Sequence, residues 1–568
     1  MVLQNEKIVE TKSCQKCQID FTITDRDLEF YDKVSPIFGW EKMSIPTPQL
    51  CPGCRQQRRL SFRNERALYK WECHATGKSI ISMYNPTIPY KIYSEEFWWS
   101  DNWDAMKYGR DFDFGDSFFP QIEKLFLDVP QPPLINGYTT HDNSNYANYS
   151  GNLTNCYLVY ECGTCENVLY GESNRRVENS LDLWMATRSI ECYFSFNISD
   201  CYKLYYSKNS TDCRESYFLD NCMNCEFCYG CNNLSNVSYH IDNVAYEKDQ
   251  YFKEIETKIL KDDILRYSGW SEKVVRHMHG HWNENVSGDY VVNSKNGADL
   301  YQVKNLDTGK YCSYICSSSK LSQDCYDYDY FGWAQKIYEA MTVGWRSSMV
   351  LFSFNTWEAA NNNFYCNMCH ASKDLFACVG LKNKQYCIFN KQYTKQEYEE
   401  LVPRIIRRMK QDGDWGEFFP SSLSPFGYNE TVANDYFLLE KNQAEEQWFN
   451  WSNYEAPFPR VDKTISAKQL PENIVDIPDD ILNWAITCEV TKKPFRIIPQ
   501  ELKFYRKHNL PIPRRHPDQR YLDRMNLINP RKLFERACDK CGTQMQTTYS
   551  PERPEKVYCE NCYNSEIY

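Results

Sequence analysis

Asn155-Cys156-Tyr157, Asn167-Val168-Leu169, Asn179-Ser180-Leu181 and Glu191-Cys192-Tyr193 form one series, which Asp200-Cys201-Tyr202, Asp212-Cys213, Asn224-Cys225 and Asn236-Val237 continue. The middle residues advance by twelve, with a single step of nine between Cys192 and Cys201. Twelve residues are too few for a helical repeat or a leucine-rich coil, and they suit one turn of a narrow β-solenoid stacked on the next at about 4.8 Å. The Cys/Val/Ser position then faces a thin core that admits small side chains. The residue after it points outward, so Tyr157, Tyr193 and Tyr202 are expected on one exposed face.

A second array follows at Leu300, Tyr311, Cys325, Ile337, Met349, Phe364, Leu375 and Tyr386, spaced by eleven to fifteen residues. It echoes the first: Phe194-Ser-Phe-Asn197 matches Phe352-Ser-Phe-Asn355, and Tyr239, Ile241, Asn243, Tyr246 and Tyr251 match Tyr386, Ile388, Asn390, Tyr393 and Tyr398. After each array the periodicity turns helical, near 247–262 and 394–410, as expected of caps over the end of a solenoid. The match also bears on Cys222-x2-Cys225-x2-Cys228-x2-Cys231, which looks like an iron–sulfur run but lacks the following Pro and the usual spacing. Its counterparts are Ser372, Leu375, Cys378 and Leu381, and Leu stands where a ligand could not, so these thiols read as core. Cys366 and Cys369, aligned with Ser216 and Leu219, read the same way. His277, His279 and His281 alternate as metal ligands on a strand would, yet they lack an obvious fourth partner and read as a linker. Asp327 and Asp329 are spaced for the paired carboxylates of a glycosidase, a pattern more common on ordinary surfaces.

Two ligand sets flank the arrays. Cys14-x2-Cys17 precedes Cys51-Pro-Gly-Cys54, and Cys538-x2-Cys541 precedes Cys559-x2-Cys562. Paired Cys-x2-Cys knuckles gather four thiolates around tetrahedral Zn²⁺. Displacing the C-terminal region by 465 residues lays Arg520 on Arg55, Arg524 on Arg59, Asn529 on Asn64, Arg531 on Arg66 and Cys538 on Cys73. Upstream, after a nine-residue gap, Cys488 falls on Cys14, Phe495 on Phe21 and Tyr505 on Tyr31. The two ends are one duplicated module in which each copy has lost a different metal. Cys488, Thr491, His516 and Gln519 replace the first site, and Cys73, Thr76, Ser94 and Phe97 replace the second, which predicts two Zn²⁺ per chain.

The chain has 568 residues, enough for several domains, and its 42% hydrophobic and 25% charged residues are those of a folded protein. A formal charge of −11 excludes a uniformly basic nucleic-acid coat. The first ten residues lack a signal-like apolar core and no run of eighteen apolar residues occurs, so the chain reads as cytoplasmic with no membrane partner. In a reducing compartment its 27 Cys favour metal or buried thiols over disulfides. Gly77-Lys78-Ser79 resembles the end of a phosphate-binding loop, but Glu72 stands where the first glycine is required.

Both modules share an arginine stripe: Arg55, Arg59, Arg63 and Arg66 in one, Arg520, Arg524 and Arg531 in the other. Arg at helical spacing suits phosphates. The leading expectation is a non-enzymatic zinc protein that binds RNA or a ribonucleoprotein surface through these stripes, with exposed Tyr available for stacking. One alternative is a protein-interaction scaffold with structural zinc, in which the stripes are internal salt bridges. Another is a carbohydrate-active solenoid enzyme.

The combination of Cys51-Pro-Gly-Cys54-Arg with Arg59-Leu-Ser-Phe-Arg-Asn64, the Cys-Tyr array, Trp415-Gly-Glu-Phe-Phe-Pro-Ser-Ser-Leu-Ser-Pro-Phe-Gly-Tyr428 and Ile512-Pro-Arg-Arg-His-Pro-Asp-Gln-Arg520 resembles a family of large zinc-ribbon proteins of reduced-genome uncultivated bacteria. The resemblance spans nearly the whole chain and implies no activity. The expected fold is mainly β with some α. Zinc-ribbon modules at 1–100 and 476–568 flank solenoid arrays at 141–262 and 285–410, each array ending in its capping helix. A connector at 101–140, a linker at 263–284 and an aromatic wrapping segment at 411–475 complete the chain.

Overall fold

One residue in three along the first array has a left-handed backbone, from Tyr149 (φ +54°) through Asn152, Asn155 and Leu158 to Asn236 (φ +58°). The computed structural model describes residues 6–258, 274–316, 325–327, 337–343, 347–356, 359–455, 457 and 460–567. Within it each twelve-residue coil has four sides of three residues: a left-handed corner, an inward residue and an outward one. Coils pair in parallel and in register, as in Glu166 with Glu178, Tyr202 with Arg214 and Glu226 with Ser238. The inward residues are buried, among them Cys156, Val159, Cys162, Cys165 and Val168, and the same lattice runs to Cys222, Cys225, Cys228 and Cys231. The step of nine in the sequence is thus no shortened coil. It is three triplets, and it marks the point where the Cys-rich row moves to a neighbouring side.

This geometry explains the composition. Left-handed corners cost L-residues energy, least for Asn and Asp, and the corner amides then bond from coil to coil: Asn167 Nδ2 to Asn179 Oδ1 at 2.9 Å, Asn197 to Asn209 at 2.9 Å and Asn221 to Asn233 at 2.7 Å. A three-residue side leaves a narrow interior, which Cys, Ser, Val, Ala and Leu fill. The inward polar atoms are satisfied by backbone: Ser180 Oγ donates to Glu178 O at 2.8 Å and accepts from Cys192 N at 3.0 Å.

The second array repeats the design with looser coils, thirteen residues from Ser348 to Asn361 and twelve from Lys373 to Gln385. The helices Lys248–Lys258 and Lys395–Asp412 lie against the last strands of their arrays, bringing Tyr251 to Tyr239 and Tyr398 to Tyr386. Residues 259–262 of the expected first cap, and Asp329 of the expected carboxylate pair, lie outside the described residues.

The terminal modules dock crosswise. The N-terminal module packs on the second array, with Phe30 on Tyr326 and Phe38 on Phe364, and with Lys310 Nζ buried against Asp27 Oδ1 (2.9 Å) and Thr24 Oγ1 (3.0 Å). The C-terminal module packs on the first array, with Tyr193 on Tyr505 and Tyr170 Oη donating to Glu501 at 2.9 Å. The expected exposed tyrosine face is therefore corrected. Tyr193 is buried and Tyr157 half-buried under the C-terminal module, while Tyr202 is exposed on a different side of the coil. The wrapping segment is core: Trp415, Phe418 and Phe419 join Phe62, Phe126 and Phe354 in one cluster. No helix among the described residues is long and apolar enough to cross a membrane.

Candidate metal centres and the duplicated arginine helices

Four knuckles share one backbone. In each, the amide of the first Cys bonds the carbonyl five residues on: Cys14 to Ile19, Cys73 to Lys78, Cys488 to Lys493 and Cys538 to Thr543. In each, the residue at the fifth position of the turn is left-handed: Gln18, Gly77, Lys492 and Gly542. Gly77, part of the dismissed phosphate-loop motif, is such a turn residue. The second half of each complete site comes from a helix start. Cys51 caps the Pro52–Leu60 helix, which carries Cys54, and Cys559 precedes the Glu560–Ile567 helix, which carries Cys562.

The sulfurs of Cys14, Cys17, Cys51 and Cys54 lie within 4.8 Å of one another, as do those of Cys538, Cys541, Cys559 and Cys562. Cys17 and Cys51 Sγ are 3.7 Å apart, Cys541 and Cys559 Sγ 3.8 Å. A tetrahedron with Zn–S bonds of about 2.3 Å has an edge of about 3.8 Å, so both sets fit zinc. Backbone amides point at the buried sulfurs, Cys51 N to Cys14 Sγ and Cys559 N to Cys538 Sγ, each at 3.3 Å. Such N–H···S bonds favour thiolate. A hydrogen bond from the Cys54 thiol holds Cys51 down to about 5, and the Thr543 hydroxyl holds Cys541 down to about 6. Four thiolates leave no open coordination position, so the ion would supply structure rather than Lewis acidity.

The degenerate knuckles keep the same polarity without the ligands. Cys73 Sγ accepts from Ser94 N at 3.1 Å, the counterpart of the Cys559 N to Cys538 Sγ bond, and Cys488 Sγ accepts from Thr491 N at 3.4 Å. Among the described residues no other group of His, Cys, Asp or Glu gathers as ligands would. Cys222, Cys225, Cys228 and Cys231 point into the coil and bond backbone carbonyls; Cys225 Sγ, for one, donates to Met223 O at 3.5 Å. The three alternating histidines diverge. His279 stacks on Tyr290 and bonds Asp289 Oδ1 at 2.9 Å, His281 meets Trp282, and His277 N bonds Tyr558 O.

The arginine stripes lie inside the molecule, which corrects the expected nucleic-acid contacts. Arg55, Arg59 and Arg63 are at most 2% exposed, as are Arg520 and Arg524. On the Pro517–Met525 helix, Arg520 Nη1 donates to Asp182 Oδ2 at 2.7 Å and Arg524 Nη1 to Asp182 Oδ1 at 2.8 Å. On the equivalent Pro52–Leu60 helix, Arg55 Nε bonds Asp327, and Arg59 Nη1 lies 3.6 Å from the same carboxylate. Arg58, between them, holds Glu339 and Glu417 at 2.8 and 3.0 Å. Arg63 pairs with Glu65 and Glu161. Arg66 reaches Glu172 at 3.3 Å and stacks on Tyr521, where the two modules meet; Arg531 bonds Gln302 at 2.6 Å and stacks on Tyr436. Arg55, Arg59, Arg63, Arg520 and Arg524 are closed to a phosphate by this burial, while Arg66 and Arg531 are only partly buried.

Asp327, expected as an ordinary surface carboxylate, is instead buried in these pairs. The sequence reading missed the acceptors Asp182, Asp327, Glu339, Glu161 and Glu172. For three of them a signal existed: Asp182, Glu161 and Glu339 are lone carboxylates within apolar or aromatic stretches, such as Leu181-Asp182-Leu183-Trp184, where only a buried partner justifies a charge. The fold and sites define a β-solenoid protein with two four-cysteine centres. No protein-family model matches the chain, and no curated protein does.

Proposed function

We propose that the chain is a non-enzymatic protein-interaction scaffold whose body is closed by its own termini and braced by two zinc ions. The observation that carries the reading is the direction of the arginines. Arg55, Arg59, Arg63, Arg520 and Arg524, which would have gripped phosphates, are buried against carboxylates, and of the three tyrosines that would have stacked on bases only Tyr202 stays exposed. Among the outward residues of the N-terminal module, alongside charged ones such as Glu10 and Lys42, are the large apolar side chains of Ile8, Val9, Ile19, Ile37 and a fully exposed Trp40. Large apolar side chains grouped on one exposed module mark polypeptide contacts rather than nucleic acid.

The test is chemical cross-linking with mass spectrometry on protein purified from its native source, in parallel with an RNA retention assay across a salt series. A protein partner cross-linked to the chain without nucleic acid supports the scaffold. Salt-sensitive retention of RNA, with no protein partner, overturns it in favour of the RNA reading.

A further inference from the structure

The duplication gives a direct comparison of two sheet edges. In the C-terminal module the knuckle strand Trp484–Thr487 is a central strand, paired antiparallel with Pro494–Phe495 and, on its other edge, parallel with Lys463–Ser466. In the N-terminal module the equivalent strand, Ile8–Ser13, pairs antiparallel with Asp20–Thr24 in the same register: Lys12 faces Phe21 as Ile486 faces Phe495. Its other edge carries no strand among the described residues. Cys14 N bonds inward to Ile19 O, so by strand alternation Thr11 and Ser13 turn their amides outward, and both residues are exposed.

We infer that this edge receives an extended segment of a partner polypeptide, which adds to Glu10–Ser13 as a parallel strand. The inference rests on the scaffold reading and names the class of partner. Lys463–Ser466 shows the register such a segment takes, with Lys463, Thr464, Ile465 and Ser466 opposite the equivalents of Glu10, Thr11, Lys12 and Ser13. It also shows a preference. Lys463 Nζ sits 3.7 Å over the Trp484 ring, and Glu10 takes the place of Trp484, so a basic residue at the first position gains an ion pair in place of a cation–π contact. Main-chain bonds supply affinity in this mode and alternate side chains supply selectivity.

The experiment uses the full zinc-loaded chain and a synthetic peptide reproducing residues 460–469. The expected result is saturable binding, with amide exchange slowed about 10-fold or more at Thr11 and Ser13. A peptide carrying Lys463→Glu should bind at least about 10-fold more weakly. Thr11→Pro, which removes an outward amide and leaves the hairpin's inward bonds intact, should abolish binding while two zinc ions per chain are retained. No binding, or protection at another segment that Thr11→Pro leaves unchanged, overturns the edge assignment. The scaffold reading would survive that result, because it is decided by native cross-linking.

Discussion

Asp182 and Asp327 hold the same station in the two arrays. Each is a left-handed corner residue, φ +55° and +60°, and each faces two arginines spaced one turn apart on a duplicated helix. The likeness extends to the neighbouring coil, since Arg520 lies 4.5 Å over Tyr170 and Arg55 lies 5.6 Å over Tyr311, each one coil before the aspartate. The two termini therefore fasten to the two arrays by one repeated device, and each terminus clasps the array more distant from it in sequence.

Removing one partner of a buried ion pair leaves an uncompensated charge, which costs about 3–5 kcal/mol. Asp182→Ala and Asp327→Ala should each destabilise the chain by that amount. Adding Arg520→Met and Arg524→Met to Asp182→Ala should restore much of the loss. Denaturant unfolding of the three variants checks this; equal stability of Asp182→Ala and the unmodified chain would contradict it.

The metal centres predict a count. Cys17→Ser and Cys541→Ser should each lower the zinc content from two to one per chain, whereas Cys73→Ser and Cys488→Ser should leave it at two. Inductively coupled plasma mass spectrometry on gel-filtered protein distinguishes the outcomes.

In the solenoid interior, burial pushes the thiols of Cys156 and Cys201 up to about 12, so they should be inert toward thiol reagents at neutral pH until the chain unfolds. Cys225→Val and Cys231→Leu place at each position the residue that its row already carries one coil away, Val237 and Leu219. Cys225→Val should cost less than about 1.5 kcal/mol and the bulkier Cys231→Leu no more than about 3 kcal/mol, both with metal content unchanged, as unfolding midpoints and elemental analysis would show.

Glu95 opens the Glu95–Trp99 helix, and burial raises its carboxyl from 4.5 to about 7 against a weaker opposing bond from Asn136. The folded chain thus holds this proton more tightly than the unfolded chain, and stability contributed here falls as pH rises from about 4.5 to 7. Glu95→Gln removes that fall. The variant should be more stable than the unmodified chain by up to about 3 kcal/mol at pH 8, with the difference vanishing near pH 4.5. A pH-independent difference in unfolding free energy would contradict this.

Much of this molecule could be read from the chain because local chemistry imposed it. A left-handed corner calls for Asn or Asp, a narrow core calls for Cys, Ser or Val, and a thiolate cage calls for paired knuckles, so the solenoids, the duplication and both four-cysteine sets were legible. The triplet was hidden because Leu, Ser, Ala and Val share the inward row with Cys, and only the Cys-rich row stood out as a twelve-residue period. The arginines were misread because helical spacing fixes that they share a face and does not fix what the face meets. That was decided by Asp182 and Asp327, far away in sequence, whose meaning appears only when the coils place them under the helices. The same limit applied to Tyr193, which points out of its own coil as expected and into the next module.

The most direct test of the central claim is elemental analysis of natively purified protein together with its absorbance at 260 and 280 nm. A body closed by its own arginines and braced at both termini should carry two zinc ions per chain and show a protein spectrum with no nucleic-acid contribution. Three or more zinc ions per chain, or co-purified nucleic acid released by salt, would contradict it.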